Sequence, residues 1–134
     1  VALGRWAVRQ ALEYTKIRRT FGRPIADYQG VTFPLADSAT HLHAAHLMAL
    51  NACQLLDAGK PARKELSMTK LFAVQAGMQA LDRAMQAHGA IGMTNEMHFA
   101  HNFLRMRMLN VADGTNEVLR RTILKEMLDG DLDL

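Results

Sequence analysis

An all-α fold, an up-and-down bundle of four to five helices, is what this sequence predicts, and three observations predict it. Apolar residues recur in alternating steps of three and four over long stretches. No segment sustains the period-two alternation of a strand. The 134 residues are 49% hydrophobic but only 6% aromatic, with 9 methionines and many alanines, a balance that favours packed helices over a sheet. That length fits one domain over residues 1–134, long enough for a single core and too short for two.

The first helix carries Leu3, Ala7, Ala11 and Tyr14 on one face and ends near Ile17. The stretch from Arg18 to Ala26 holds Thr20, Phe21, Gly22 and Pro24 and reads as a loop. The second helix has the cleanest seam: Leu35, Ala39, Leu42, His46, Ala49, Cys53 and Leu56. Pro34 belongs in its first turn, or kinks it if the helix begins as early as Tyr28. Gly59 then stops that helix and Pro61 starts the next. Leu71, Val74, Met78, Leu81, Met85 and His88 form the third seam, broken by Gly89-Ala90-Ile91-Gly92. Thr94 is the expected cap of a shorter fourth helix through Met108. Thr115 caps a fifth that runs to Met127 or Leu128, where Asp129-Gly130 ends it. Short links predict antiparallel neighbours.

Composition narrows the function classes. The single Cys53 excludes an internal disulfide and is expected as a buried thiol in a reducing compartment, the cytoplasm or, in a eukaryote, the mitochondrial matrix. No apolar run approaches the roughly 20 residues of a membrane span, and no secretory signal opens the chain. The chain lacks a starting methionine and begins inside a helical pattern, which points to a fragment or a processed product. A net charge of +3 comes from three separate basic clusters: Lys16 to Arg23, Arg105 with Arg107, and Arg120 to Lys125. Nucleic-acid binders show one dense stripe with interleaved aromatics, so solvated helix faces explain these clusters first and the phosphates of a small cofactor second. His43 and His46, and His98 and His101, are spaced three apart, yet no Glu-x-x-His motif accompanies them and no metal is expected. The methionines read as core and bundle interface.

The stretch Val111-Ala112-Asp113-Gly114-Thr115-Asn116-Glu117 puts a carboxylate on a sharp corner between the last two helices. Gly114 admits backbone angles that cost other residues free energy. Thr115 can accept from a free amide of the next helix, and the amides gathered there attract anions. Such a turn can hold a base and grip a phosphate-bearing ligand, although Asp before Gly also stabilises turns with no chemistry attached.

Four motifs in order give the chain a family likeness. They are Arg18-Arg19-Thr20-Phe21-Gly22-Arg23-Pro24-Ile25 with Gln29; Met68-Thr69-Lys70-Leu71-Phe72-Ala73; Gln86-Ala87-His88-Gly89-Ala90-Ile91-Gly92-Met93; and the Asp113 turn. Together they resemble the C-terminal helical domain of the acyl-CoA dehydrogenase family, from Val1 to about Leu128. The resemblance implies an FAD enzyme that oxidises the Cα–Cβ bond of an acyl-CoA thioester, with electron-transferring flavoprotein as the acceptor. A carboxylate removes the α-proton while the β-hydrogen leaves as hydride, and Asp113 stands where the family has that base. By the same likeness, Arg18 reaches the pyrophosphate of FAD held by a neighbouring subunit, Thr20 and Phe21 line that cofactor, and Gln29 lies near its adenosine half. Gln86, with the backbone around Gly89 and Ala90, supplies a second phosphate contact, and Thr115 and Glu117 lie near the adenine or pyrophosphate end. A homo-oligomer, dimer or tetramer, is therefore implied.

Three departures accompany the likeness. The usual base is Glu, and Asp is shorter by one methylene, about 1.5 Å of reach. Ala112 replaces an aromatic, which leaves space for a larger or branched acyl group, and Ala90 replaces a frequent glycine. The family's N-terminal helical and middle β-domains, which hold most of the flavin ring and the acyl-CoA, have no counterpart in this sequence, so the chain alone is expected to bind FAD poorly and not to turn over. A second reading is a non-catalytic helical oligomerisation module that retains the fold. A third, a basic helical nucleic-acid binder, predicts affinity that falls steeply with salt.

Overall fold

The helix on which every other helix packs is α3 (Arg63–His88), in a computed structural model that describes residues 1–132. The rest are α1 (Ala2–Ile17), α2 (Gln29–Asp57), α4 (Phe99–Met108) and α5 (Asn116–Leu128). Buried Ala76, Gly77, Ala80 and Ala84 keep α3 slim, so its neighbours approach closely. A Cβ on Gly4 of α1 would meet Leu42 Cδ2 at 2.5 Å and Gly77 Cα at 3.3 Å, and one on Gly77 would meet Met106 Cε at 2.4 Å. Apolar burial holds the bundle together. Its main cluster joins Ala7 and Ala11, Leu35, Val74, Leu81 and Ala84, and Phe99 and Met106, with Trp6 packed beside them.

Chain direction follows from the pairs. Gly4 lies by Gly77, and the Tyr14 and His88 rings stack at 4.3 Å, so α1 runs parallel to α3. Arg83 donates to Pro34 O and Ser38 Oγ while His41, further along α2, meets Phe72, earlier on α3, at 6.0 Å, so α2 runs the other way. Phe99 packs on His88 at 4.7 Å and Met106 reaches Gly77, making α4 antiparallel to α3. The α4–α5 link is the exception to antiparallel neighbours. Beyond the 109–115 turn, α5 continues down the same helix, with Glu126 3.6 Å from Arg63 and Asp131 2.5 Å from Lys64.

Several sequence expectations are corrected. The stretch after Ile17 is not plain loop. Arg19–Thr20 (β1) and Arg23–Pro24 (β2) pair as an antiparallel hairpin, followed by a 3-10 turn at Ile25–Asp27. Phe21 (φ 49°) and Gly22 (φ 86°) both take positive φ, as a two-residue primed turn requires. α2 starts at Gln29 with Tyr28 as its cap, the earlier of the two expected starts, so Pro34 lies inside it and not in its first turn. Its buried line is Leu35, Ser38, Leu42, Ala45 and Ala52, leaving Ala39, Cys53 and Leu56 exposed. The anchor is polar: Arg83 binds Ser38 and turns that line toward α3. Thr94 does not cap α4. Its hydroxyl donates to Ile91 O, a 3-10 turn Asn95–Met97 intervenes, and His98 (φ 55°) precedes Phe99. Among the described residues no helix is long and apolar enough to cross a membrane.

Candidate active-site turn and cofactor-contact residues

After α4 the backbone keeps winding, with the Val111 and Ala112 amides both donating to Met108 O. Asp113 (φ 53°) and Gly114 (φ 96°) then reverse the path in the left-handed region, which Gly enters freely and Asp tolerates better than most residues. Thr115 is extended and caps α5, its Oγ1 accepting from Val118 N–H at 3.4 Å. The loop is closed at its neck: Asn116 N–H donates to Asn110 O at 3.3 Å and Asn116 Nδ2 to Asn110 Oδ1 at 2.9 Å. Asn110 Nδ2 in turn contacts Met78 Sδ on α3 at 2.9 Å.

Lys70 of α3 reaches into this loop. Its Nζ donates to the carbonyls of Ala112, Asp113 (2.9 Å) and Gly114 (2.8 Å), three consecutive acceptors for three donors. The Asp113 carboxylate is left exposed at the corner. Glu117 is exposed in the first turn of α5, and its carboxyl is held below its usual value by its own backbone N–H, then by the Thr115 hydroxyl, with Arg120 and Arg107 adding attraction.

The remaining candidates gather at the other end of α3. Arg18 caps α1, its amide donating to Tyr14 O and its carbonyl accepting from Ile25 N–H at 2.8 Å, while its side chain is exposed. Tyr28 Oη donates to Thr20 O at 2.9 Å, the Arg23 guanidinium lies 4.1 Å from the Tyr28 ring centre, and Arg19 Nη2 donates to Gly22 O. These contacts fix the hairpin and lift Phe21, 97% exposed, to its tip. Gln29 opens α2 and is exposed. Gln86, Gly89 and Ala90, all exposed, border an open groove of about 570 Å³ floored by Met85, Phe103 and Leu104. Gly89 has φ 64°, and a Cβ there would meet nothing within 4 Å, so the backbone is open to a ligand.

The structure therefore brings the predicted residues together as two groups. Asp113, Thr115 and Glu117 sit by Lys70; Arg18, Thr20, Phe21, Gln29, Gln86, Gly89 and Ala90 sit near the end of α3. Lys70 and Gln86 are 16 positions apart on that helix, about 24 Å at the helical rise. Sequence reasoning assigned no role to Lys70 or the Asn110–Asn116 neck. The available signal was a lysine directly before the apolar seam residue Leu71. His88 is a core histidine, its Nδ1 2.8 Å from Ala84 O, and among the described residues no three His, Cys, Asp or Glu side chains converge on a metal position.

A slim central helix, a strained carboxylate turn between the last two helices and a rigid hairpin beside a glycine break define a helical domain of one recognisable class. The model of the acyl-CoA dehydrogenase C-terminal domain matches residues 1–128, and the chain belongs to that family. It is similar to a 3-(aryl)acrylate reductase of Clostridium sporogenes, 37% identical over 122 residues, which are 91% of this chain and 32% of that protein. It is likewise similar to the caffeyl-CoA reductase-Etf complex subunit CarC of Acetobacterium woodii, 35% identical over 92% of this chain and 32% of that one. The solved FAD complex of PigA matches with a TM-score of 0.89 at 27% identity, over 92% of this chain and 32% of that chain. The chain thus spans about a third of the length of the relatives it matches.

Proposed function

We propose that this chain is the C-terminal domain of a longer acyl-CoA dehydrogenase-like flavoenzyme, in which Asp113 takes the α-proton of an acyl-CoA thioester. The observation that carries the reading is the Asp113 turn: an exposed carboxylate on a left-handed corner whose backbone is pinned on both sides. A carboxylate is an adequate base for this proton when the thioester carbonyl is hydrogen-bonded and water is excluded. Bound FAD would supply the hydride-accepting chemistry for the β-hydrogen.

The residues present fit FAD. Arg18 offers a free guanidinium suited to a pyrophosphate, Gln86 an amide donor, and Gly89 an open backbone. Thr20, Phe21 and Gln29 flank the same end, while Thr115 and Glu117 lie with the base. A separation of about 24 Å between the two groups favours their serving cofactors in different subunits of a homo-oligomer, a dimer or tetramer. The outward face of α2, with Phe33, Leu47 and Leu50 exposed, gives a second copy an apolar surface to cover. An electron-transferring flavoprotein is the proposed acceptor, supported by a relative whose name places it in an Etf complex. Ala112 beside the base leaves room for a bulky acyl group, which makes aryl-bearing thioesters worth testing beside straight chains.

The test is anaerobic bleaching of the flavin by acyl-CoA in the full-length polypeptide that contains this domain. Asp113→Ala is expected to keep its flavin and slow bleaching by about a hundredfold or more; an unchanged rate rejects the base. One observation favours a second reading, a non-catalytic oligomerisation module: the carboxylate is Asp, short of the family's usual reach. A wild-type polypeptide that assembles but is bleached by no thioester supports the module instead.

A further inference from the structure

The Met68–Ala73 motif carries a lysine for which the function above has no use, and its surroundings are specific. Lys70 lies half-buried on α3, and its ammonium is met by three successive carbonyls, those of Ala112, Asp113 and Gly114. A primary ammonium has three N–H donors, so this cradle saturates it. Two of the three acceptors flank the residue that carries the carboxylate, and the third is its own carbonyl.

We propose that Lys70 is a positioning residue for Asp113, a clamp that sets how far the carboxylate stands out from α3; the catalytic part of this inference rests on the reading of Asp113 as the base. Three physical points converge on it. Asp113 occupies the left-handed region at φ 53°, which costs an L-residue free energy relative to glycine and which neighbouring contacts can offset. The carbonyls of Ala112, Asp113 and Gly114 lie between α4 and α5, outside both helices, where an ammonium gives them charge-assisted bonds. Finally, the Asn110–Asn116 bonds close the neck of the loop and the Val111 and Ala112 amides hold its incoming arm to Met108 O, while the ammonium bonds the Asp113 and Gly114 carbonyls at the tip. A short aspartate has little slack, and a base displaced by about 1 Å loses a large factor in rate. The clamp acts through the backbone and leaves both carboxylate oxygens available.

The experiment compares wild type, Lys70→Met and Lys70→Arg in the full-length polypeptide, with amide hydrogen exchange followed by mass spectrometry on peptides covering residues 109–118. Lys70→Met keeps the chain length and removes the donors. It is expected to raise exchange in those peptides about tenfold or more while α1 and α2 peptides stay unchanged. Flavin content and oligomer mass stay at wild-type level, kcat falls about tenfold or more with KM within about twofold, and the isotope effect on an α-deuterated thioester grows as proton removal becomes more rate-limiting. Lys70→Arg restores charge and some donors and recovers part of both signals. Unchanged exchange at 109–118 in Lys70→Met overturns the clamp. Faster exchange with unchanged kcat and isotope effect, in an enzyme that wild type shows to be active, overturns the positioning role. If wild type itself bleaches with no thioester, the failure lies with the proposed activity, and exchange still decides the clamp. If Lys70→Met does not fold, Lys70→Arg decides: wild-type exchange and kcat with that altered donor geometry overturn the proposal.

Discussion

Asp113 does two things at one position, and they separate by substitution. Its backbone needs a residue that tolerates positive φ, which Asp and Asn both do at a cost of roughly 1–2 kcal/mol less readily than Gly. Its carboxylate is needed only for chemistry. Asp113→Asn is therefore expected to match wild type in urea stability to within about 0.5 kcal/mol while flavin bleaching is lost; a large stability loss would mean that the carboxylate itself holds the turn. Thr115 is the neighbouring case. Its cap bond to Val118 N–H is long, 3.4 Å, so Thr115→Ala should cost only about 0.5–1 kcal/mol. The same hydroxyl helps hold the Glu117 carboxyl below 4.5. A depressed carboxyl contributes stability that is present above 4.5 and lost as pH falls through the lower folded value. In Thr115→Ala the folded value lies closer to 4.5, so that loss is smaller and is complete at a higher pH; superimposable acid limbs in the two melting series would contradict the contact.

At the scale of elements, α3 and the turns that leave it decide which glycines are replaceable. A Cβ on Gly92 would stand 2.6 Å from Met85 O and 3.0 Å from Met85 Cα, both backbone atoms that cannot step aside. A Cβ on Gly77 would stand 2.4 Å from Met106 Cε, the tip of a flexible thioether. Gly92→Ala should thus cost about 1–3 kcal/mol by overpacking, and Gly77→Ala less, because Ala also favours the helix by nearly 1 kcal/mol. Chemical denaturation of both variants checks the order, and the reverse ranking would show that Met106 has nowhere to go. The helices themselves were legible because their apolar residues repeat at the helical period and Gly or Pro marks their ends. The α3 seam held from Val74 through Leu81 to His88, all buried. The α2 seam held at Leu35 and Leu42, both buried, but not at Ala39, Cys53 and Leu56, which are exposed. An alanine on either face satisfies the same pattern, and the buried line that includes Ala45 is met at Ser38 by Arg83, a contact 45 positions away that the pattern does not contain. The hairpin was hidden because Phe21 sits where a primed turn ordinarily has Asn or Gly. The corner at Asp113 could be placed from Gly114 and Thr115, whereas its clamp could not, because Lys70 is 43 positions from the carbonyl it binds.

Over the whole molecule, the chain's last described residues return to the start of the helix on which the fold is built. Lys64 is 1% exposed, and its Nζ meets Asp131 Oδ1 at 2.5 Å, Asp131 O at 3.3 Å and Glu65 Oε1 at 3.5 Å. With Arg63 and Glu126 alongside, this clasp fastens the end of α5 to the beginning of α3, the helix on which α4 also packs. The hydrogen bond to Asp131 raises the Lys64 pKa above 10.5, more than burial lowers it, and the charges of Asp131 and Glu65 add to the rise. A lysine whose pKa is higher folded than unfolded contributes stability that is complete below 10.5 and disappears as pH rises through the folded value. Asp131→Asn removes the charge that Lys64 gains while leaving a side chain of similar size. The stability difference between wild type and Asp131→Asn should therefore be constant from about pH 7 to about pH 10 and shrink above it, as the ammonium loses its proton. Taking the difference cancels the titration of the exposed lysines, which both proteins share. A difference that stays constant to about pH 11.5 would mean that the clasp works through its shape and not through the charge on Lys64.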